Sequence, residues 1–234
     1  MLLKRPIIQI EKSSILSSEI LEQIRNDDTP YCNKKIEEQN FNLSDFSKID
    51  FSHVIIHNCS FKNCSFEKAS FATALLSNCF FNNCQMENFY AKELWIEDCK
   101  FTGCNLIEST LKKCTFKNSH LQYNDFNESK FENIFLDKTH LISSELSNCV
   151  IKNLKLNHAS LSDSNFFKTS LKNADFTTTN ISGINLSPNF SELRGATISP
   201  CQAGELISTL GIKIDFSSTN IFKSQVTDGY SHNA

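Results

Sequence analysis

A large apolar residue recurs at every fifth position of this chain from Phe41 to Leu186. The series reads Phe41, Phe46, Phe51, Ile56, Phe61, Phe66, Phe71, Leu76, Phe81 and Met86. It resumes after Ala91 with Ile96, Phe101, Leu106, Leu111, Phe116, Leu121, Phe126, Phe131, Leu136 and Leu141, and runs on at the same interval to Leu186. Thirty positions share this register, Ala91 being the exception. A period of five fits neither a helical repeat nor the two-residue alternation of a strand continued indefinitely. The chain must therefore turn a corner every five residues, and four corners close a square coil of 20 residues. Coils stacked by parallel backbone pairing rise about 4.8 Å each, so about eight of them form a rod on the order of 40 Å long.

Two residues before each central position the side chain is usually small, as at Cys59, Cys64, Ala69, Ala74, Cys79, Cys84, Ser109, Cys114, Ser119 and Ala174. These slots point inward, where only a methyl, hydroxyl or thiol fits. With faces counted from Phe41, six slots on the third and fourth faces break the rule: Ile49, Val54, Phe89, Leu94, Ile134 and Leu154. Their corners are expected to be wider. At Phe89 and Ala91 the large and small roles are exchanged, which conserves volume within one coil.

The same slots account for eight of the ten cysteines: Cys59, Cys64, Cys79, Cys84, Cys99, Cys104, Cys114 and Cys149; only Cys32 and Cys201 lie outside. Cys59, Cys79 and Cys99 should stack on one face, and Cys64, Cys84 and Cys104 on the next. Such thiols pack as small hydrophobes, and a tetrahedral zinc site needs converging ligands that a packed wall does not offer. No metal and no cofactor is expected. Among the six histidines none sits in a catalytic motif, and His120 and His140 should stack outside on the first face. Only six glycines are present, and neither a phosphate-cradling loop nor a nucleophile elbow is found. A rod with a filled axis offers no pocket, so an enzyme is the weakest function class.

A formal charge of -3 argues against the strongly basic profile of a chain that neutralises many phosphates. Pro6 to Ile10 is too short and too soon followed by charge to be a signal peptide or a membrane span. Cytoplasmic placement is expected, and the many reduced thiols favour it.

Residues 1–35 lie outside the repeat as an N-terminal extension. A short helix around Ser18 to Arg25, with Ile20, Leu21 and Ile24 on one face, and a turn over Asn26 to Pro30 are expected to cap the first coil or to bind a partner. The coil should fill residues 36–198. After Leu186 the register slips by two around Pro188 and resumes through Leu193 and Ile198. Ser199, Pro200 and Gly211 then mark the cap, first position and stop of a helix. Leu206, Ile207 and Leu210 form its apolar face, with a strand to follow at Ile212 to Ile214. Residues 199–214 are thus a candidate module for closing the rod or joining two rods, and residues 215–234 a flexible polar tail in which Phe216, Ile221 and Val226 keep the spacing of five.

The pattern of small, polar and large residues resembles the pentapeptide-repeat family, which implies an all-β fold, a right-handed quadrilateral parallel β-helix with a short C-terminal helical module. Leu193-Arg194-Gly195-Ala196-Thr197-Ile198, Gln202-Ala203 and Leu210-Gly211-Ile212 resemble the C-terminus of the Qnr and MfpA group and of microcin-immunity proteins. Ala91 to Leu106, with Ile96, Cys99 and Gly103, resembles the middle of Qnr proteins. The resemblance implies a cytosolic homodimer joined at Leu206, Ile207, Leu210 and Ile212. It also implies binding to DNA gyrase or topoisomerase IV by mimicry of DNA, with resistance to quinolones or another gyrase poison. Qnr proteins of Gram-negative bacteria carry projecting loops, for which the unbroken register here leaves no room.

Charge sorted by face bears on mimicry. The second face carries Asp45, Glu67, Glu87, Glu108, Asp125, Glu128 and Glu145 against Lys48, Lys68 and Lys168, a net of -4. The third carries Lys92, Lys112, Lys113, Lys130, Lys152 and Lys172 against Asp50, Glu93 and Glu132, a net of +3. One acid per coil would form a negative ridge that a basic enzyme groove could read. The competing reading is a general interaction scaffold or bacterial effector with an unrelated partner, contacted through Phe80, Tyr90, Trp95 and Phe135.

Overall fold

The computed structural model describes residues 4–8, 20, 22 and 31–215. The chain divides into two compact units, Met1–Ile198 and Ser199–Ala234. The first is a parallel β-helix whose register advances by 20 residues per turn, as in Lys35↔Ile55, Ile55↔Leu75 and Leu75↔Trp95. On the first face a six-stranded sheet runs from Asn40–Asn42 to His140–Ile142, and bridges carry it on to Ser160 and Asn180. The second face is a ladder of single bridges through Asp45, Ser65, Gln85, Asn105, Asp125, Glu145, Asn165 and Asn185. Faces three and four share one 11-stranded sheet. No loop projects from residues 41 to 186, as the unbroken register requires.

Two local features make the corners. From Leu43 to Asn173 the residue two after each central position takes a left-handed backbone, for example Asn58, Asn63 and Asn78 at φ 52° and Asn83 at φ 51°. Asparagine is among the few side chains that tolerate this region readily, which explains its abundance in that column. Gly103 occupies the same column at φ +65°, where an added Cβ would lie 2.6 Å from Asn83 Oδ1. The inward slots then tie coil to coil. The Cys59 thiol faces the His57 carbonyl at 3.3 Å and the Ile36 carbonyl at 3.6 Å. Further along, Ser129 Oγ donates to the Leu106 carbonyl at 2.8 Å and accepts from the Ser109 N–H at 2.9 Å. A slot hydroxyl thereby gives buried backbone a closer partner, the Ser109 N–H having otherwise only the Leu106 carbonyl at 3.3 Å.

The axis is filled by the central side chains. Phe41, Phe61, Phe81 and Phe101 stack with centroids 5.1, 4.7 and 4.5 Å apart, and Phe46 and Phe51 stack likewise on Phe66 and Phe71. Where Ala91 leaves space, the Phe89 ring turns in to lie 5.4 Å from Phe71, the compensation that the exchange of sizes suggested. The coil also begins earlier than Phe41. Ile36 is buried, and Tyr31 sits in register below Phe51 with its ring edge-on at 5.9 Å.

Corner widths follow the size of the residues stacked there. The column between faces three and four reads Val54, Ala74, Leu94, Cys114, Ile134, Leu154, Ala174. Large and small alternate until Ile134 and Leu154 stack as two large residues. At these two corners alone the backbone runs through as eight-residue strands, Lys130–Asp137 and Val150–Asn157. Leu94, between Ala74 and Cys114, and Val54, beside Ala74, keep separate strands on either side.

Of the N-terminal segment, Ile20 and Glu22 are helical and Ile20 is buried. The rest of the expected Ser18 to Arg25 helix, including Leu21 and Ile24, and the Asn26 to Pro30 turn lie outside the described residues. Residues 4–8 flank the side of the coil, where Arg5 Nε lies 3.8 Å from Glu97 Oε2 on the fourth face. The second unit begins with helix Pro200–Ser208, started by a capping box in which Ser199 Oγ accepts from the Gln202 N–H and Gln202 Oε1 accepts from the Ser199 N–H. Residues 212–215 form no strand, so the strand expected at Ile212 to Ile214 is absent. Phe216, Ile221 and Val226 lie outside the described residues.

Candidate functional site

The seven acids of the second face all reach the surface, but they do not form one column. Asp45, Asp125 and Glu145 precede their central residues, Glu67 and Glu87 follow by one, and Glu108 and Glu128 follow by two. The result is a broad acidic face that crosses from one edge to the other over successive coils. Several carboxylates are fixed by neighbours. Asn105 Nδ2 donates to Glu87 Oε1 at 2.6 Å and Asn165 Nδ2 to Glu145 Oε2 at 2.7 Å. Backbone N–H groups of Ser47 and Asn127 each donate to the carboxylate two residues earlier, Asp45 and Asp125, at 2.9 Å. Glu67 is neutralised by Lys68 at 3.1 Å. Glu108 and Glu128 stand exposed at left-handed corners, so they carry charge furthest into solvent.

The other faces differ in kind. On the first, the His120 and His140 rings stack at 4.8 Å and 10°, as their register implied. Burial, and then the charges of His140 and Lys100, hold the His120 imidazole below its usual range. On the fourth, Glu97 accepts from Lys117 at 2.8 Å and from Trp95 Nε1 at 3.4 Å, and the Lys117 hydrogen bond keeps its carboxyl below the usual value despite partial burial. Of the four aromatic contact candidates, Phe80 and Tyr90 are exposed, whereas Trp95 and Phe135 are half-buried. Tyr123, Phe167 and Leu43 are exposed as well; they occupy corner or edge positions that the central-residue count does not single out.

At the second unit's helix Leu206 is buried, while Ile207, Leu210 and Ile212 are exposed. The four residues therefore do not share one solvent-facing patch. Among the described residues no three of His, Cys, Asp and Glu converge in a group suited to a metal ion. Burial pushes the Cys114 thiol up to about 12 and the Cys149 thiol up to about 11, which keeps both protonated and unreactive. No helix of the described residues is long and apolar enough to cross a membrane.

Residues 99–137 and 144–183 match the model of pentapeptide repeats in eight copies. The coil is a pentapeptide-repeat structure. No curated protein matches the chain. Among solved structures it is similar to a trypsin-treated variant of QnrB1, a plasmid-mediated fluoroquinolone resistance protein. The identity is 20%, covering 81% of this chain and 95% of that one, with a TM-score of 0.40. It is also similar to HetL, a pentapeptide-repeat protein involved in heterocyst differentiation regulation in the cyanobacterium Nostoc sp. (12% identity, 78% and 97% covered, TM-score 0.27). A third is Rfr23 from the cyanobacterium Cyanothece (11% identity, 78% and 99% covered, TM-score 0.22). The pentapeptide-repeat rod thus presents four faces of distinct chemistry around an axis filled by side chains.

Proposed function

We propose that this chain is a non-enzymatic, cytoplasmic pentapeptide-repeat protein that mimics DNA and binds a type II topoisomerase, DNA gyrase or topoisomerase IV. It thereby protects the enzyme from quinolones or a similar inhibitor, or modulates their action. The observation that carries this reading is the polarised charge of the rod, net -4 on the second face and net +3 on the third. Carboxylates spread over successive coils, each rising about 4.8 Å, make a broad negative face comparable in scale to the phosphates of a duplex. A basic DNA groove would attract them over a distance set by the Debye length, about 10 Å at 0.1 M salt. The resemblance of residues 193–212 to the C-termini of Qnr and MfpA proteins supports the choice of enzyme. It also supports a homodimer joined at this module, with Ile207, Leu210 and Ile212 exposed for contact and Leu206 buried.

Reversing Glu87, Glu108 and Asp125 to lysine tests the reading. All three are surface residues, so the fold is retained, and gyrase capture by the immobilised variant should fall by more than about tenfold at low salt. Capture equal to the parent protein rejects the acidic face as the contact. A general scaffold is the second reading, favoured by the exposed Phe80, Tyr90 and Tyr123. Loss of a partner on replacing these aromatics, with the acids intact, would select it.

A further inference from the structure

The stack of coils is continuous on two faces and interrupted on the other two. On the first face bridges join His140 to Ser160 and Ser160 to Asn180; on the second they join Glu145 to Asn165 and Asn165 to Asn185. On the third and fourth faces the Val150–Asn157 strand pairs back with Lys130–Asp137, and Asp175 pairs forward with Thr197. Among the described residues no backbone bond joins 150–157 to 170–177. Elsewhere the ladder is regular. The Leu141 N–H reaches the Ser160 carbonyl at 2.8 Å, the Lys113 N–H reaches Glu132 at 2.7 Å and the Lys138 N–H reaches Asn157 at 2.8 Å. The corresponding N–H groups of Ile151, Asn153 and His158 have no such partner in the next coil.

The break follows a change in what fills one corner. Ile134 and Leu154 stack two large residues there, and pairing between their coils runs through the corner, whereas the next coil places the small Ala174 in the same slot. The seam leaves apolar side chains open. Val150 is 49% exposed, and Ile151, Leu154 and Leu156 are half-buried, where Phe131, Ile134 and Leu136 one coil earlier are buried. An apolar cavity of about 30 Å³ lies behind them, bordered by Phe131, Ile134, Ile151 and Leu154. The lips are basic. Lys152 and Lys155 are exposed on one side and Lys172 on the other, with Asp175 the acid nearby.

We propose that this seam is a docking slot for an extended acidic segment of a partner protein. The segment adds as a strand to the free edge of Val150–Asn157 and places two apolar side chains, five residues apart, over Ile151 and Leu156. An unpaired strand edge selects extended backbone through its N–H and carbonyl groups. The half-buried apolar row selects the spacing, and the three lysines select the charge. The slot is separate from the acidic second face, so its partner need not be the one bound there.

The test uses the full chain and a short acidic, dye-labelled peptide carrying two leucines five residues apart. In the free protein the amides of Ile151, Asn153 and His158 should exchange with solvent much faster than those of Phe131 and Leu136, and the peptide should slow them. Lys152→Glu with Lys155→Glu, both on the surface, should weaken binding by roughly tenfold at low salt. Leu154→Ala, which removes one of the half-buried apolar side chains of the slot, should weaken binding by roughly tenfold. Should that variant fail to fold, the charge reversal decides alone. Three results overturn the proposal: exchange at Ile151 as slow as at Phe131 in the free protein, equal binding of a peptide without leucines, or unchanged binding by the charge-reversed variant.

Discussion

The first coils and the later ones obey the same five-residue rule with different materials. From Phe41 to Phe101 the axis holds a column of stacked rings, and thiols are the commonest slot residue. Beyond Leu106 the axis is mainly leucine and the slots mainly hydroxyls such as Ser109, Ser119, Ser129 and Ser164. Two strands run through a corner there, and a cavity of about 30 Å³ opens inside, against about 20 Å³ in the section that begins at Phe71 and Phe81. Rings stacked at coil spacing fill the section more closely than branched aliphatic side chains, which leave the larger gap. Closeness of packing therefore declines along the rod.

That contrast yields graded expectations. Phe81→Ala removes a ring held between Phe61 and Phe101 and should cost about 3–5 kcal/mol in denaturant unfolding. Leu141→Ala, which already borders the cavity, should cost nearer the lower end of the usual range, about 2 kcal/mol. Equal losses would break the distinction. Ser129→Ala leaves the Ser109 N–H only its longer bond to the Leu106 carbonyl at 3.3 Å and should cost about 0.5–1.5 kcal/mol, while Ser129→Cys should cost less, because thiols serve the same slots in the earlier coils.

Glu192 marks the end of the regular register. It is buried and accepts from the Lys168 N–H at 2.9 Å and the Ser187 N–H at 3.2 Å, and Ser187 Oγ also donates to it. Burial alone would raise its carboxyl, but the hydrogen bonds from Ser187 and the backbone outweigh that and lower it below 4.5. The folded carboxyl is the stronger acid, so its contribution is present above pH 4.5 and is lost as pH falls through the folded value. The Glu192→Gln variant should therefore show a flatter acid limb in thermal melts than the parent protein. The smallest effect is kinetic. In the native protein a thiol reagent should modify Cys201, which is exposed, and more slowly Cys32, with the eight slot cysteines reacting only after unfolding.

Much of this architecture was legible because each side chain's depth follows from its place in the five-residue count. Central and slot residues identify the coil, and the size exchange at Phe89 and Ala91 foretells the ring that turns inward. Other features depend on what stacks on what. The large slot residues Val54 and Leu94 have Ala74 and Cys114 beside them and separate strands on either side, whereas Leu154 has Ile134 beneath it and pairing runs through the corner. Tyr31 is in phase with the series but precedes the run of phenylalanines that reveals it, so residues 31–35, expected outside the repeat, join the coil. The acids of the second face could be assigned to a face but not to one ridge, since Glu67 and Glu108 leave the coil in different directions. Arg5 beside Glu97 is a long-range contact that no periodicity encodes.

The central claim is that the acidic face of this rod takes the place of DNA on a type II topoisomerase. Its most direct test is gyrase supercoiling with the protein titrated in, with and without ciprofloxacin, at two salt concentrations, beside the Glu87, Glu108 and Asp125 reversal. The account predicts salt-sensitive inhibition without drug or rescue with it, and loss of either effect in the variant. No effect of the parent protein at any concentration, or an equal effect of the variant, would contradict it.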